Sequence, residues 1–332
     1  MNEFNCLTQN YTNPFKYAEL VAKSGLTKMP PLIITCAITG SVQGKEANPN
    51  LPETLEEQVQ STYDAYNAGA AMVHIHRRDP ENPAVMTQDP ALFLEVNREI
   101  RRKCPDLIIN NTCIGGHYLN TDVGVVEPAV RVSFGARPEV ASLDITSGIT
   151  RYPMKARPGI PGREKDILLE TEYSLSISNM IRTSREMLTK GTKPEYEMFS
   201  LNDIKYLKEV IASEGASQPP YWISLIVNGA GTWPTPETLI QAGQLLPENS
   251  MLNIISVGAC QPAVMAMAIC MGYNIRVGME DSFMYGPKNP AISNAQLVER
   301  AVDLARLLGR PIATPAQARE MMGLGGPRQY EG

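Results

Sequence analysis

Residues 69–80 read GAAMVHIHRRDP. Gly69 opens the stretch, an apolar run leads to His76, and a charged loop closed by Pro80 ends it. That is the outline of a short buried strand, Ala71–His76, bounded by turn residues. Successive strand residues face opposite sides, so His74 and His76 share a face at the strand's C-terminal end. Working outward, the same unit recurs. Strands are predicted at Pro31–Thr39, Leu107–Thr112, Val140–Ile145, Glu195–Phe199, Tyr221–Val227, Asn253–Val257 and Asn274–Met279. Amphipathic helices are predicted at Pro52–Asn67, Pro90–Lys103, Glu164–Lys190, Leu201–Glu214, Pro236–Leu246, Pro262–Met271 and Ser293–Leu308. Thr54 with Glu57 forms a capping-box pattern at the first of these. No helix is evident over 115–139. Eight strands, most followed by a helix, imply a parallel sheet and fit a closed (β/α)8 TIM barrel. An open doubly wound sheet is the alternative, although no G-x-G-x-x-G opens a helix after the first strand. The expected organisation is a polar N-terminal arm over 1–29, a barrel over 30–320 and a tail over 321–332.

Composition narrows the class. Thirty Lys and Arg against thirty-five Asp and Glu leave a net charge of −5. This acidic balance argues against a general nucleic-acid binder. Mean hydropathy is −0.18, and no apolar run approaches the length of a membrane span. Six cysteines include no C-x-x-C pair, which reads as free thiols in a reducing, cytoplasmic setting. The first twenty residues lack the basic and apolar regions of a secretory signal.

The chain has three histidines, His74, His76 and His117. Catalytic groups of a barrel sit at the C-terminal ends of its strands, so His74 and His76 can meet one point above the mouth. Two imidazoles so placed suit zinc; a pair of satisfied core histidines is the alternative. A third ligand is expected at another strand end. The last strand closes on Arg276-Val277-Gly278-Met279-Glu280-Asp281. Adjacent carboxylates there are costly unless bound to metal or paired with a cation. One of them can ligate while its neighbour acts as a base. Thr35, Thr39, Asn110, Asn111, Thr112, Ser142, Asp144 and Glu197 also fall near strand ends. Asn228–Thr232 (NGAGT) reads either as a phosphate cradle or as a plain turn.

PLIITCAITG, NPNLPETLEEQ, GAAMVHIHRRDP, IINNT, KPEYE, NIRVGMEDS, SNAQLVERA and GRPIATPAQAR together resemble the β-keto acid cleavage enzymes over about Pro30 to Ala318. The resemblance implies a zinc-dependent barrel that condenses a β-keto acid with acetyl-CoA, giving acetoacetate and a new acyl-CoA. It implies zinc ligands at His74, His76 and Glu280. It also implies a base at Asp281, supported by Arg276 and Glu197, and a carboxylate-binding pair at Thr112 and Ser142. A homotetramer is expected on the same ground. The competing activity is a zinc-dependent aldolase or hydrolase acting without CoA.

Two departures bear on substrate. The named enzyme of this family cleaves 3-keto-5-aminohexanoate and carries an acidic residue where this chain has Val42. A side chain without charge cannot pair a substrate ammonium. A neutral distal group is therefore expected, or an anionic one if Lys45 or an arginine of the Arg151–Arg163 segment reaches in. Gly258-Ala259-Cys260-Gln261 also replaces a Gly-Arg-His/Trp stretch common in such enzymes.

Overall fold

A computed structural model of the chain describes residues 14–41, 43–87, 89–113, 135–160 and 163–330. Eight parallel strands close into a barrel. They are β1 (Ile34–Ala37), β2 (Met72–Ile75), β3 (Ile108–Asn111), β4 (Val140–Asp144), β7 (Lys193–Met198), β8 (Tyr221–Val227), β9 (Ser250–Ser256) and β10 (Asn274–Val277). Round the ring the order is β1-β10-β9-β8-β7-β4-β3-β2. All eight expected strands are present, and the barrel reading holds over the open sheet.

Local chemistry explains the helix starts. Thr54 caps Leu55–Ala68 with the expected box, and Gly69 ends that helix in the left-handed region. Asp89 and Thr235 cap helices that carry proline in their first turn, Pro90–Lys103 and Pro236–Leu245. Every second strand residue faces the helices. Val73, Ile75, Ile109, Leu143, Ile223, Leu225 and Ile254 belong to one large buried cluster with the helices' apolar stripes. The bottom of the barrel closes with Ile33, Met72, Ile108, Val140 and Trp222, packed with Ala318, Met321 and Met322 of the helix Pro315–Met322.

One sequence expectation is corrected. The segment 164–190 is not a single helix. Ile167–Ser174 is a strand, β6, paired antiparallel with β5 (Ser147–Met154) from Met154↔Ile167 to Ser147↔Ser174. The helix begins only at Ile177, capped by Ser176. Leu168, Leu169, Glu170 and Glu172 favour a helix intrinsically, but eight cross-strand pairs override that preference.

The ribbon is tied down at its far end. Arg157 donates to both oxygens of Glu53, at 2.8 and 2.7 Å. Arg163, 1% exposed, donates to Glu46 at 2.8 Å. The ribbon that follows β4 is thus bound to the loop after β1.

Within 1–29, a helix spans Pro14–Ser24, and Tyr17 donates its hydroxyl to the Cys270 carbonyl at 2.8 Å. At the other end, the Arg328 amide donates to Glu139, and Tyr330 is buried. Among the described residues, no helix is long and apolar enough to cross a membrane.

Candidate metal centre and active site

Inside the barrel, the inward residues are polar at mid-height, where branched apolar side chains usually fill the space. Glu195, fully buried, accepts from Asn110 Nδ2, Trp222 Nε1 and the Ser224 hydroxyl. Asn253 donates to Ser224 at 2.9 Å. Above this layer stand the groups expected at the strand ends.

His74 and His76 present Nε2 atoms 3.1 Å apart. Glu280 Oε1 lies 3.3 Å from His76 Nε2 and 3.8 Å from His74 Nε2. Two glycines allow this convergence. A Cβ on Gly278, at φ 134°, would sit 2.0 Å from the Ala37 carbonyl oxygen, and one on Gly40 would sit 2.9 Å from Glu280 Cγ. The chain leaving β10 therefore crosses close over β1 and delivers Glu280 to the histidines.

These residues fit a metal. Their three ligand atoms lie within 4.8 Å of one another. In a tetrahedral zinc site, metal–ligand bonds of about 2.0–2.1 Å put neighbouring ligand atoms roughly 3.3 Å apart. Glu280 Oε2 is buried without a hydrogen-bond partner, a costly state for a carboxylate oxygen that a cation would relieve. Burial pushes His74 down to about 3, outweighing the pull of Glu280. It is thus the neutral imidazole that a metal requires. For Glu280, burial opposes ionisation, but the Arg276 charge, helped by a hydrogen bond from His76, outweighs it and holds the carboxylate low.

Arg276 links the ligand set to the other acids. Its Nε donates to Asp281 Oδ2 at 3.0 Å, and Nη2 donates to Asp281 Oδ1 at 2.6 Å. Nη2 also donates to Glu280 at 2.8 Å, and Nη1 to Glu197 at 3.4 Å. Burial raises Asp281 to about 6 against the pull of this arginine. Glu197 is raised well above the usual carboxylate range by burial, then by Glu195 and Asp144.

A cavity of about 540 Å³ opens over the site. His76, Asp144, Glu197, Arg276, Glu280 and Asp281 form its polar floor. Asp144 lies beside Glu197 in the β4–β7 register. It shares its face with Ser142, two residues earlier, and its place near a strand end was its signal in the sequence. Thr112 and Ser142 are buried at adjacent strand ends, and Ser142 Oγ accepts from the Cys113 amide at 3.2 Å. Neither lines the cavity. Asn111 turns outward and exchanges hydrogen bonds with Asn97 of a surrounding helix. Val42 and His117 lie outside the described residues.

The cations considered for an anionic substrate are engaged elsewhere. Lys45 pairs with Glu57, Arg151 with Glu170, Arg157 with Glu53 and Glu46, and Arg163 with Glu46. The glycine cluster after β8 is a turn. Asn228 N donates to the Thr232 carbonyl, Gly231 N to Asn228, and Thr232 N to Ile226, which leaves few amides for a phosphate.

A family model described as beta-keto acid cleavage enzyme matches residues 31–324. A 3-keto-5-aminohexanoate cleavage enzyme of Acetoanaerobium sticklandii is 36% identical over 298 residues, covering 89% of this chain and 99% of that one. A 3,5-dioxohexanoate:acetyl-CoA acetone transferase of Paraburkholderia graminis is 30% identical over 306 residues, covering 89% and 96%. Among solved structures, the apo form of ObcA superposes with a TM-score of 0.63 at 18% identity, covering 83% of this chain and 66% of that one. That likeness concerns the fold.

Proposed function

This chain belongs to the β-keto acid cleavage enzyme family, and on that premise we propose that it transfers acyl groups between a β-keto acid and acetyl-CoA. The products are acetoacetate and a new acyl-CoA. The observation that carries the reading is Asp281, buried on the cavity floor and gripped by Arg276, one residue from the candidate ligand Glu280.

In this reading His74, His76 and Glu280 hold zinc. When bound, zinc supplies Lewis-acid stabilisation of the negative charge that develops on the β-keto oxygen. Asp281 takes a proton from the carbon between the two carbonyl carbons. The resulting carbanion attacks the acetyl carbonyl, and CoA thiolate leaves. The thiolate then adds to the original keto carbon. The bond between that carbon and the former carbanion carbon breaks, releasing the acyl-CoA. Asp281 returns its proton to the departing acetoacetate carbanion. Arg276 keeps the aspartate aimed throughout, and Glu197 holds the third side of the guanidinium. Thr112 and Ser142, buried beside the cavity floor, are the pair that the family resemblance assigns to the substrate carboxylate. No acyl-enzyme forms in this sequence of steps, so it asks nothing of the cysteines.

Val42 offers no counter-charge for an ammonium, and Lys45, Arg151, Arg157 and Arg163 are engaged with acids. The proposed substrate therefore carries a neutral distal group. A homotetramer is proposed as the working assembly.

The test is a panel of β-keto acids of equal length with neutral, anionic and cationic ends, assayed for acetoacetate with and without acetyl-CoA. Turnover of the neutral members, strictly dependent on acetyl-CoA, is expected. Cleavage that proceeds equally without the thioester would point to an aldolase or hydrolase.

A further inference from the structure

The cavity is larger than a β-keto acid needs. A keto acid of about ten non-hydrogen atoms fills roughly 200 Å³ at protein-like packing density, against about 540 Å³ here. The charged groups are gathered at one end, over the metal ligands. Beyond the strand ends the wall is apolar, with Phe199, Val257, Pro262 and Met284. At its outer edge stands Lys288, exposed to solvent.

Lys288 is held in place by its backbone. It forms the turn between β11 (Met284–Gly286) and β12 (Asn289–Pro290), at φ 59°, a region disfavoured for residues that carry a side chain. Asn48 pins both ends of this small ribbon, donating to the Phe283 carbonyl at 2.9 Å and the Ala291 carbonyl at 2.8 Å. Arg300 donates to the Tyr285 carbonyl and lies 4.8 Å over the Tyr285 ring. Among the described residues, Lys288 makes no ion pair. The other cation lining the cavity, Arg276, is committed to three carboxylates. The cavity thus runs from a charged floor, along an apolar wall, to an unneutralised ammonium at the rim.

We propose that the apolar wall takes the pantetheine arm of a CoA thioester and that Lys288 pairs with a phosphate at its nucleotide end. An arm of modest polarity ending in a cluster of phosphates matches that sequence of surfaces. The proposal rests on the acyl-transfer reading for the identity of the ligand, but direct binding tests it independently of turnover.

Calorimetric titration of the full-length protein with CoA and with pantetheine, which lacks phosphate, separates the two parts. Lys288→Ala should weaken CoA binding about tenfold, the loss of one charge-assisted contact. Lys288→Glu should weaken it further. Pantetheine should bind wild type and both variants equally. Added salt should weaken CoA binding by wild type more than by Lys288→Ala. The proposal is overturned if CoA affinity is unchanged in both variants, if pantetheine binding falls in parallel, or if wild type binds neither compound. Lys288-dependent CoA binding in a protein that turns over no β-keto acid would support the site and refute the acyl-transfer reading.

Discussion

Arg276 holds both carboxylate oxygens of Asp281, with Nε 3.0 Å from one and Nη2 2.6 Å from the other. A planar guanidinium can do this, whereas an ammonium offers a single point of charge. Arg276→Lys should therefore keep the positive charge and lose the aim. We expect kcat to fall about a hundredfold or more, with zinc content unchanged by elemental analysis. An Arg276→Lys enzyme with wild-type kcat would show that the clamp has no part in turnover.

The ligand set makes a separate statement about composition. The purified protein should carry about one zinc per chain. His76→Ala should lose the metal and activity together while retaining the far-ultraviolet circular dichroism of the barrel. Because the metal binds only the folded state, chelation should also lower the melting temperature of wild type. Full activity in rigorously metal-free protein would remove zinc from the mechanism.

Glu139 stabilises the far end of the barrel. It pairs with Arg101 at 2.6 Å and Arg319 at 2.6 Å, and it accepts from the Arg328 amide at 3.0 Å. Both arginines are buried. Glu139→Gln would leave two buried cations without their shared anion, so stability should fall by about 3–5 kcal/mol. Urea unfolding gives the number. A loss within about 0.5 kcal/mol would mean that the arginines find other acceptors.

Lys193, at the start of β7, is pushed down to about 8 by burial. Unfolded, the same amine titrates near its ordinary value of 10.5. Between these values the unfolded chain binds more protons, so stability should rise as pH climbs from about 8 towards 10.5. Below about 8 the full cost of burying the charge is present. Lys193→Met should accordingly stabilise the protein at pH 7 by roughly 1–3 kcal/mol and flatten that rise. Parallel unfolding curves for the two proteins across this pH range would contradict it.

The barrel was legible because its signals are periodic and local. Strand parity in VHIH brings His74 and His76 together, and the spacing from Arg276 to Glu280 puts both on one side. Gly278 then shapes the close crossing over Ala37. The β5–β6 ribbon was hidden for the opposite reason. Leu168, Leu169, Glu170 and Glu172 have helical preferences, and the partner strand that overrides them begins twenty residues earlier at Ser147. Asp144 could be placed on a strand, but its closeness to Glu197 depends on the register of β4 against β7. The engagement of Arg157 and Arg163 by Glu53 and Glu46 was likewise invisible, since these pairs span more than a hundred residues.

The buried carboxylate Glu195 also bears on how this chain can be divided. Its donors come from both sides of any cut between β4 and β7: Asn110 belongs to the N-terminal piece, while Trp222 and Ser224 belong to the C-terminal piece. A C-terminal half-barrel would keep Glu195 with two of these three donors, lose the third and open the acid to solvent. An N-terminal half would keep an amide aimed at nothing. Neither fragment gains a sealed interior until the other arrives, so ring closure both buries this acid and supplies its last donor. The two halves should be recovered as a soluble pair when co-expressed and aggregate when made alone, which marks the barrel as one cooperative unit despite its modular repeat.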